Sequence, residues 1–185
     1  MKTRTIYLTL AAFALSVSAG APRAHAADSV VSVRKSLQTI YNKSSIALKQ
    51  KDADGACDMY DPDCTIYTST GETADVNSMR DALGQVLGIF QKMSDSTLIK
   101  SCTIANTDGT ESAKVTILDV KNAVIFTPKG KRLLLKDIIA RRDYWEKTDD
   151  GWKIKQSRVL SDNGYINGKH LDSVDPSDIQ EEYGN

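Results

Sequence analysis

Arg141, Asp143 and Trp145 alternate along one strand-like run near the C-terminal end of the chain, so the three side chains share a face. An acid beside an arginine on a half-buried strand can do chemistry. Burial and the neighbouring cation tune its proton affinity, and it then serves as a base or as an anchor for a ligand. Asp143 is the candidate catalytic residue on this ground. In the following run Trp152, Ile154, Gln156 and Arg158 share a face by the same two-residue period. Trp152 and Ile154 mark it as the core side, which aims Gln156 and Arg158 into any cavity there, and Asp143 could pair with Arg158 or Arg141. Tyr60 and Tyr67 add hydroxyls that could donate to a ligand. The candidate pocket is therefore Tyr60, Tyr67, Arg141, Trp145, Trp152, Gln156 and Arg158. The competing reading is an ion pair that satisfies only itself, with core tyrosines.

The elements that must position these residues follow from periodicity. Asp28-Ser29 can cap a helix whose buried stripe is Val30, Val33, Leu37, Ile40 or Tyr41, Ser44 and Leu48. Asp52 can cap a short helix over residues 53–60, stopped by Asp61-Pro62, and a β-rich run follows from Cys64 to Thr68. Asp75 or Asn77 starts a third helix with Val76, Met79, Leu83, Val86, Leu87, Phe90 and Met93 on its buried side. Gly84 and Gly88 share a face of that helix, and such glycines let a neighbouring backbone come close. From Ser96 onward, turn signals around Asp108-Gly109, Pro128 with Gly130, and Asp150-Gly151 separate four β-rich runs. Connections this short force antiparallel neighbours, a four-stranded meander whose long runs imply bulges and strong curvature. Beyond Ser161 the chain reads as a polar, acidic tail, residues 162–185.

The ends and the composition set outer bounds. Lys2 and Arg4, the apolar run from Ile6 to Ala19, and Ala24-His25-Ala26 form a signal-peptide pattern over residues 1–26. The expected product is an exported protein, periplasmic or extracellular, with no other span for a membrane. Removing 26 of 185 residues leaves 159, one domain's worth. Of 24 basic residues, Lys2, Arg4 and Arg23 lie in the leader, so the remaining charge is 21 − 24 = −3. That balance argues against nucleic acid as a partner. Cys57 and Cys64, with Asp61-Pro62 bending the chain between them, are the preferred disulfide pair. Buried free thiols are the equal alternative. Asp52, Asp54, Asp58, Asp61 and Asp63 cluster, but their spacing does not match a calcium loop, so neither metal nor cofactor is expected.

Two stretches carry a family resemblance. IYNKSSIALKQKDADGACDMYDPDCTIYTSTGE (Ile40 to Glu72) resembles the opening of the nuclear transport factor 2-like superfamily, in its SnoaL-like branch. RDYWEKTDDGWKIKQSRV (Arg142 to Val159) is similar to the superfamily's closing hairpin. The resemblance implies an α+β cone: a curved, antiparallel-rich mixed sheet of five to six strands around a long helix and two further helices, over residues 27–161. It also implies a ligand pocket inside the cone and a homodimer through the convex sheet face. Two enzyme templates accompany it, a ketosteroid isomerase-like carboxylate base and a SnoaL-type acid–histidine pair. The sequence departs from both, with no carboxylate in Thr65 to Thr70 and no histidine before His170 in the domain. The expected function is binding of a small, partly apolar molecule. A proton-transfer enzyme (isomerase, dehydratase or cyclase) and a structural or protein-binding subunit with a filled pocket are the alternatives.

Overall fold

A computed structural model describes residues 21–107 and 110–173 of the chain. The elements run α1 (Ala21–Lys49), α2 (Ala53–Cys57), β1 (Tyr60–Tyr67), β2 (Thr73–Asp75), α3 (Val76–Ile89), β3 (Lys92–Thr107), β4 (Thr110–Phe126), β5 (Arg132–Thr148), β6 (Gly151–Ile166) and β7 (Lys169–His170), then a 3-10 turn, Leu171–Ser173. The signal-peptide pattern falls on residues 1–20, outside the described residues, and on the first turns of α1. Asp28 lies inside α1 instead of capping it. Among the described residues, no helix is long and apolar enough to cross a membrane.

The architecture is the expected α+β arrangement, a curved open mixed sheet with three helices. Strand order is β2-β1-β6-β5-β4-β3, with β7 added on β6. The four long strands form the antiparallel meander, and β1 joins β6 in parallel. Turn chemistry fixes the hairpins. Gly130 at φ +78° closes the β4–β5 turn, where Lys131 N donates to Thr127 Oγ1 (3.1 Å). The β5–β6 turn is centred on Asp149 and Asp150, one residue earlier than the sequence suggests, and Gly151 at φ +105° opens β6.

Three inserted residues bend the sheet. Lys100 on β3 and Lys155 and Leu160 on β6 have no cross-strand partner, because the register steps over them. Each such bulge kinks its strand and changes which side chains face inward. β6 consequently runs to Ile166, past the Ser161 boundary read from the sequence, and the 3-10 turn folds back on it. Leu171 lies over Gly164 so closely that a Cβ there would collide with its side chain. Residues 174–185 of the expected tail lie outside the described residues.

The helices cover one face of the sheet. The main core gathers Leu37 and Tyr41 of α1, Cys57 of α2, Cys64 of β1, and Ile117, Trp145 and Ile154 of the meander. Along α1, Arg34, Gln38, Tyr41 and Ser45 recur at spacings of four, three and four beside the apolar stripe. Arg34 donates to Ile99 O (2.6 Å) and Gln38 to Thr97 O (2.8 Å), so the helix is pinned along β3. Asp75 caps α3 by accepting from Ser78 N (2.8 Å). Gly84 and Gly88 have nothing within 4 Å of a Cβ position, so the close backbone approach they suggested does not occur.

Candidate functional site

Asp143 stands on the inner face of β5 with no solvent contact at all. Its Oδ2 accepts from Tyr41 Oη (2.6 Å) and Arg141 Nε (3.2 Å), and its Oδ1 accepts from Ser157 Oγ (2.6 Å). Trp145 Nε1 donates to Tyr41 Oη (3.1 Å), with the two rings edge to face at 5.3 Å. Burial first, and then the charge of Asp143, hold the Tyr41 hydroxyl well above its ordinary pKa, so it stays a donor. Burial opposes the charge of Arg141, but Asp143, Tyr60 and Asp119 outweigh it and raise its pKa. An acid enclosed and hydrogen-bonded in this way anchors the core. The expectation that Asp143 acts as a base finds no support in this geometry, since the side chain is fully buried and both of its oxygens already accept hydrogen bonds.

Arg141 is the link to a second region. Its Nη1 lies 3.5 Å from Asp119 Oδ2 on β4, and Lys121 Nζ lies 3.6 Å from the same oxygen and 4.0 Å from Asp95 Oδ1 on β3. Ser45 Oγ of α1 donates to Asp95 Oδ2 at 2.5 Å. Arg141, Asp119, Lys121 and Asp95 line a cavity of about 220 Å³ between the sheet and the helices, walled by Leu48, Met59, Met79 and Leu83 and bordered by Tyr60. The Asp95 and Asp119 side chains are only 4% and 2% exposed, yet the Oδ1 of each has no hydrogen-bond partner. A buried acceptor without a donor is costly, about 1–3 kcal/mol and more for a charged group.

Lys121 also borders a wider hollow of about 510 Å³ beyond the helices, lined by Phe90, Met93, Leu135, Asp137, Asp162 and Leu171 among others. Asp137 has a buried Oδ1 without a partner. Burial, then the hydrogen bond and charge of Asp162, push its carboxyl up to about 6, with Lys121 acting the other way. A third hollow of about 680 Å³ is bordered by the exposed Lys92, Arg132 and Lys136, and it offers no enclosed polar group comparable to Asp119. Among the described residues, no group of three or more His, Cys, Asp or Glu side chains is arranged to hold a metal ion.

The chain matches no family model and no curated protein. Solved structures do match. A candidate scytalone dehydratase from Novosphingobium aromaticivorans superposes with a TM-score of 0.59 at 15% identity, over 78% of this chain and 93% of that one. A type 2 hexachlorocyclohexane dehydrochlorinase (LinA) gives 0.52 at 12% identity, over 78% and 92%. A conserved protein from Planctomyces limnophilus gives 0.51 at 11% identity, over 74% and 98%. The fold is the nuclear transport factor 2-like fold.

Within this nuclear transport factor 2-like frame, the residues nominated from sequence separate into three groups. Arg141 and Tyr60 border the inner chamber. Trp145 is on the inner face, buried beside Tyr41, and Trp152 packs half-buried against the main core. Gln156, Arg158 and Tyr67 are corrections. The bulge at Lys155 shifts the phase of β6 after Ile154, so Ser157 takes the inward position opposite Asp143. Gln156 and Arg158 turn to the outer face, where the Arg158 guanidinium sits 4.5 Å over the Tyr67 ring. The Cys57–Cys64 disulfide is corrected too. Both are free, buried thiols packed in the main core as small apolar groups, and burial followed by the Asp143 charge pushes Cys64 up to about 12.

Asp95, Asp119, Lys121 and Asp137 were not singled out from sequence, although a signal exists for three of them. On β4 the inward row reads Val115, Ile117, Asp119, Lys121, Ala123, Ile125, an acid and a lysine interrupting an apolar period-two row. Asp137 interrupts the row Leu133, Leu135, Ile139 in the same way. Asp95 carries no comparable signal, since its row on β3 is short and mixed.

Proposed function

We propose that this protein binds a small molecule in the chamber between sheet and helices, and that it does so as an exported homodimer. The observation that carries the binding reading is the pair of unpartnered, buried carboxyl oxygens of Asp95 and Asp119 on the wall of a cavity with apolar sides. A chamber of about 220 Å³ suits a ligand of roughly one ring with a polar end, since drug-sized sites start near 300 Å³. The leader pattern of residues 1–26 supports export. The outer sheet face supports a dimer: Leu98, Leu118 and Ala140 stand in cross-strand register there, and Leu98 is 51% exposed. Sedimentation velocity that finds only monomer would remove the dimer from the proposal.

Mass spectrometry of small molecules released from protein purified from its native host tests the binding reading. The expected result is a stoichiometric compound, lost from a Leu83→Trp variant whose indole fills the chamber. A folded wild type that carries no compound and takes up no probe would sink it. The proton-transfer alternative now rests on Asp137 in place of Asp143. An acid with a pKa of about 6 beside a partly apolar hollow is suited to proton exchange near neutrality.

A further inference from the structure

We propose that the inner chamber selects a small primary amine, its ammonium seated at Asp95 and Asp119 and its apolar body against Met79 and Leu83. The proposal rests on the chamber being a ligand site and deepens that reading by naming the ligand's chemical class.

The polar wall has acceptors to fill and few donors to spare. Asp95 and Asp119 lie on adjacent strands two residues out of register, Asp119 opposite Thr97 and Asp95 opposite Lys121, so they are diagonal neighbours on the inner face and one ammonium, that of Lys121, lies within 4.0 Å of both. One oxygen of each is engaged: Ser45 donates to Asp95 Oδ2, and Lys121 and Arg141 approach Asp119 Oδ2. The other oxygen of each is buried and open. A hydroxyl has a single proton to give, whereas an ammonium has three donors and a positive charge, enough for both oxygens together. An anionic ligand would bring further acceptors to a wall that already holds two carboxylates, and of its two cations Arg141 is committed to Asp143. The neighbouring hollow, which shares Lys121 with the chamber, carries two further acids, Asp137 and Asp162, so the local field has the same sign.

Lys121 shows which chemistry the two acids accept. Its own ammonium is drawn to both, but at 3.6 and 4.0 Å it stands outside hydrogen-bond range. It borders both hollows and is the cross-strand partner of Asp137 on β5. An entering amine therefore displaces the lysine toward Asp137 and Asp162, and the site exchanges one ammonium for a better-placed one.

Isothermal titration of the purified protein at pH 7.5 with benzylamine, benzyl alcohol and benzoate tests the class. Benzylamine is expected to bind about tenfold or more tightly than benzyl alcohol, the ratio that charge-assisted hydrogen bonds supply, and benzoate not to bind. Asp119→Asn should erase the preference while keeping alcohol binding. Lys121→Met should strengthen amine binding by removing the internal competitor. Because Asp119→Asn could fail to fold, the wild-type ratio and the Lys121→Met result each decide the matter alone. Equal binding of amine and alcohol, or a preference for benzoate, with every probe excluded by Leu83→Trp, overturns the amine assignment and leaves the chamber as a site. Absence of binding by all three, together with no co-purified compound, overturns the chamber reading itself.

Discussion

Asp143 and Asp119 are buried acids on adjacent strands, joined through Arg141, and their surroundings are opposite. Asp143 takes donors from Tyr41, Ser157 and Arg141, one from a helix and two from the sheet, and lines none of the hollows described above. Asp119 lines a hollow and keeps one buried oxygen without a hydrogen-bond partner, and its nearest cations stand at 3.5 and 3.6 Å. Burial alone does not separate the two, since both are at most 2% exposed. What separates them is the supply of donors. For Asp143 the chain supplies them, which ties α1 to the middle of the sheet. For Asp119 Oδ1 no described residue does.

The largest expected effect follows from that contrast. Asp143→Asn removes the charge that holds Arg141 and puts an amide N–H₂ where either Tyr41 or Ser157 donates. Breaking a buried pair on one side costs about 3–5 kcal/mol. Asp119→Asn should cost less, because its Oδ1 makes no hydrogen bond in the free protein, its two cations stand at 3.5 and 3.6 Å without a hydrogen bond, and Arg141 keeps Asp143. Urea unfolding of both variants measures the difference. Equal losses would erase the distinction between anchor and binding wall and would place Asp119 in the same structural network.

The same contrast shows what could be read from the sequence. Element order, hairpins and the inner face of Arg141, Asp143 and Trp145 were legible because β5 has no inserted residue and keeps its period throughout. β6 does not. Trp152 and Ile154 set a phase that Gln156 and Arg158 should have continued, but Lys155 steps out of the ladder to meet Asp61 (2.6 Å), and Ser157 turns inward instead. Val159, five residues after Ile154 and on the inner side, was the available sign, an odd spacing that no regular strand gives. Tyr41 could be read only as one alternative in a helix stripe. Its role depends on Asp143, 102 positions later, and local periodicity carries no information at that separation.

A smaller effect sharpens the comparison at a third acid. Asp137 has neither the donors of Asp143 nor the enclosure of Asp119. Asp162 of β6 stands beside it, Lys121 of β4 opposite, and His170 and Asp172 border the same hollow. Burial and Asp162 raise its pKa from 3.8 to about 6 on folding, so the folded chain holds this proton more tightly than the unfolded chain. The stability linked to that proton is complete below pH 3.8 and is lost as pH rises through about 6. Asp137→Asn, which cannot ionise, should therefore raise the melting temperature at pH 7.5 and leave it nearly unchanged at pH 3.5. Solvent screening at this half-buried site limits the gain to roughly 2–4 °C, the shift that about 1 kcal/mol gives in a domain of this size. A gain that stays constant across that range would assign the effect to lost polar hydration. A loss at pH 7.5 would mean that ionised Asp137 is held by Lys121, making this acid a second anchor like Asp143.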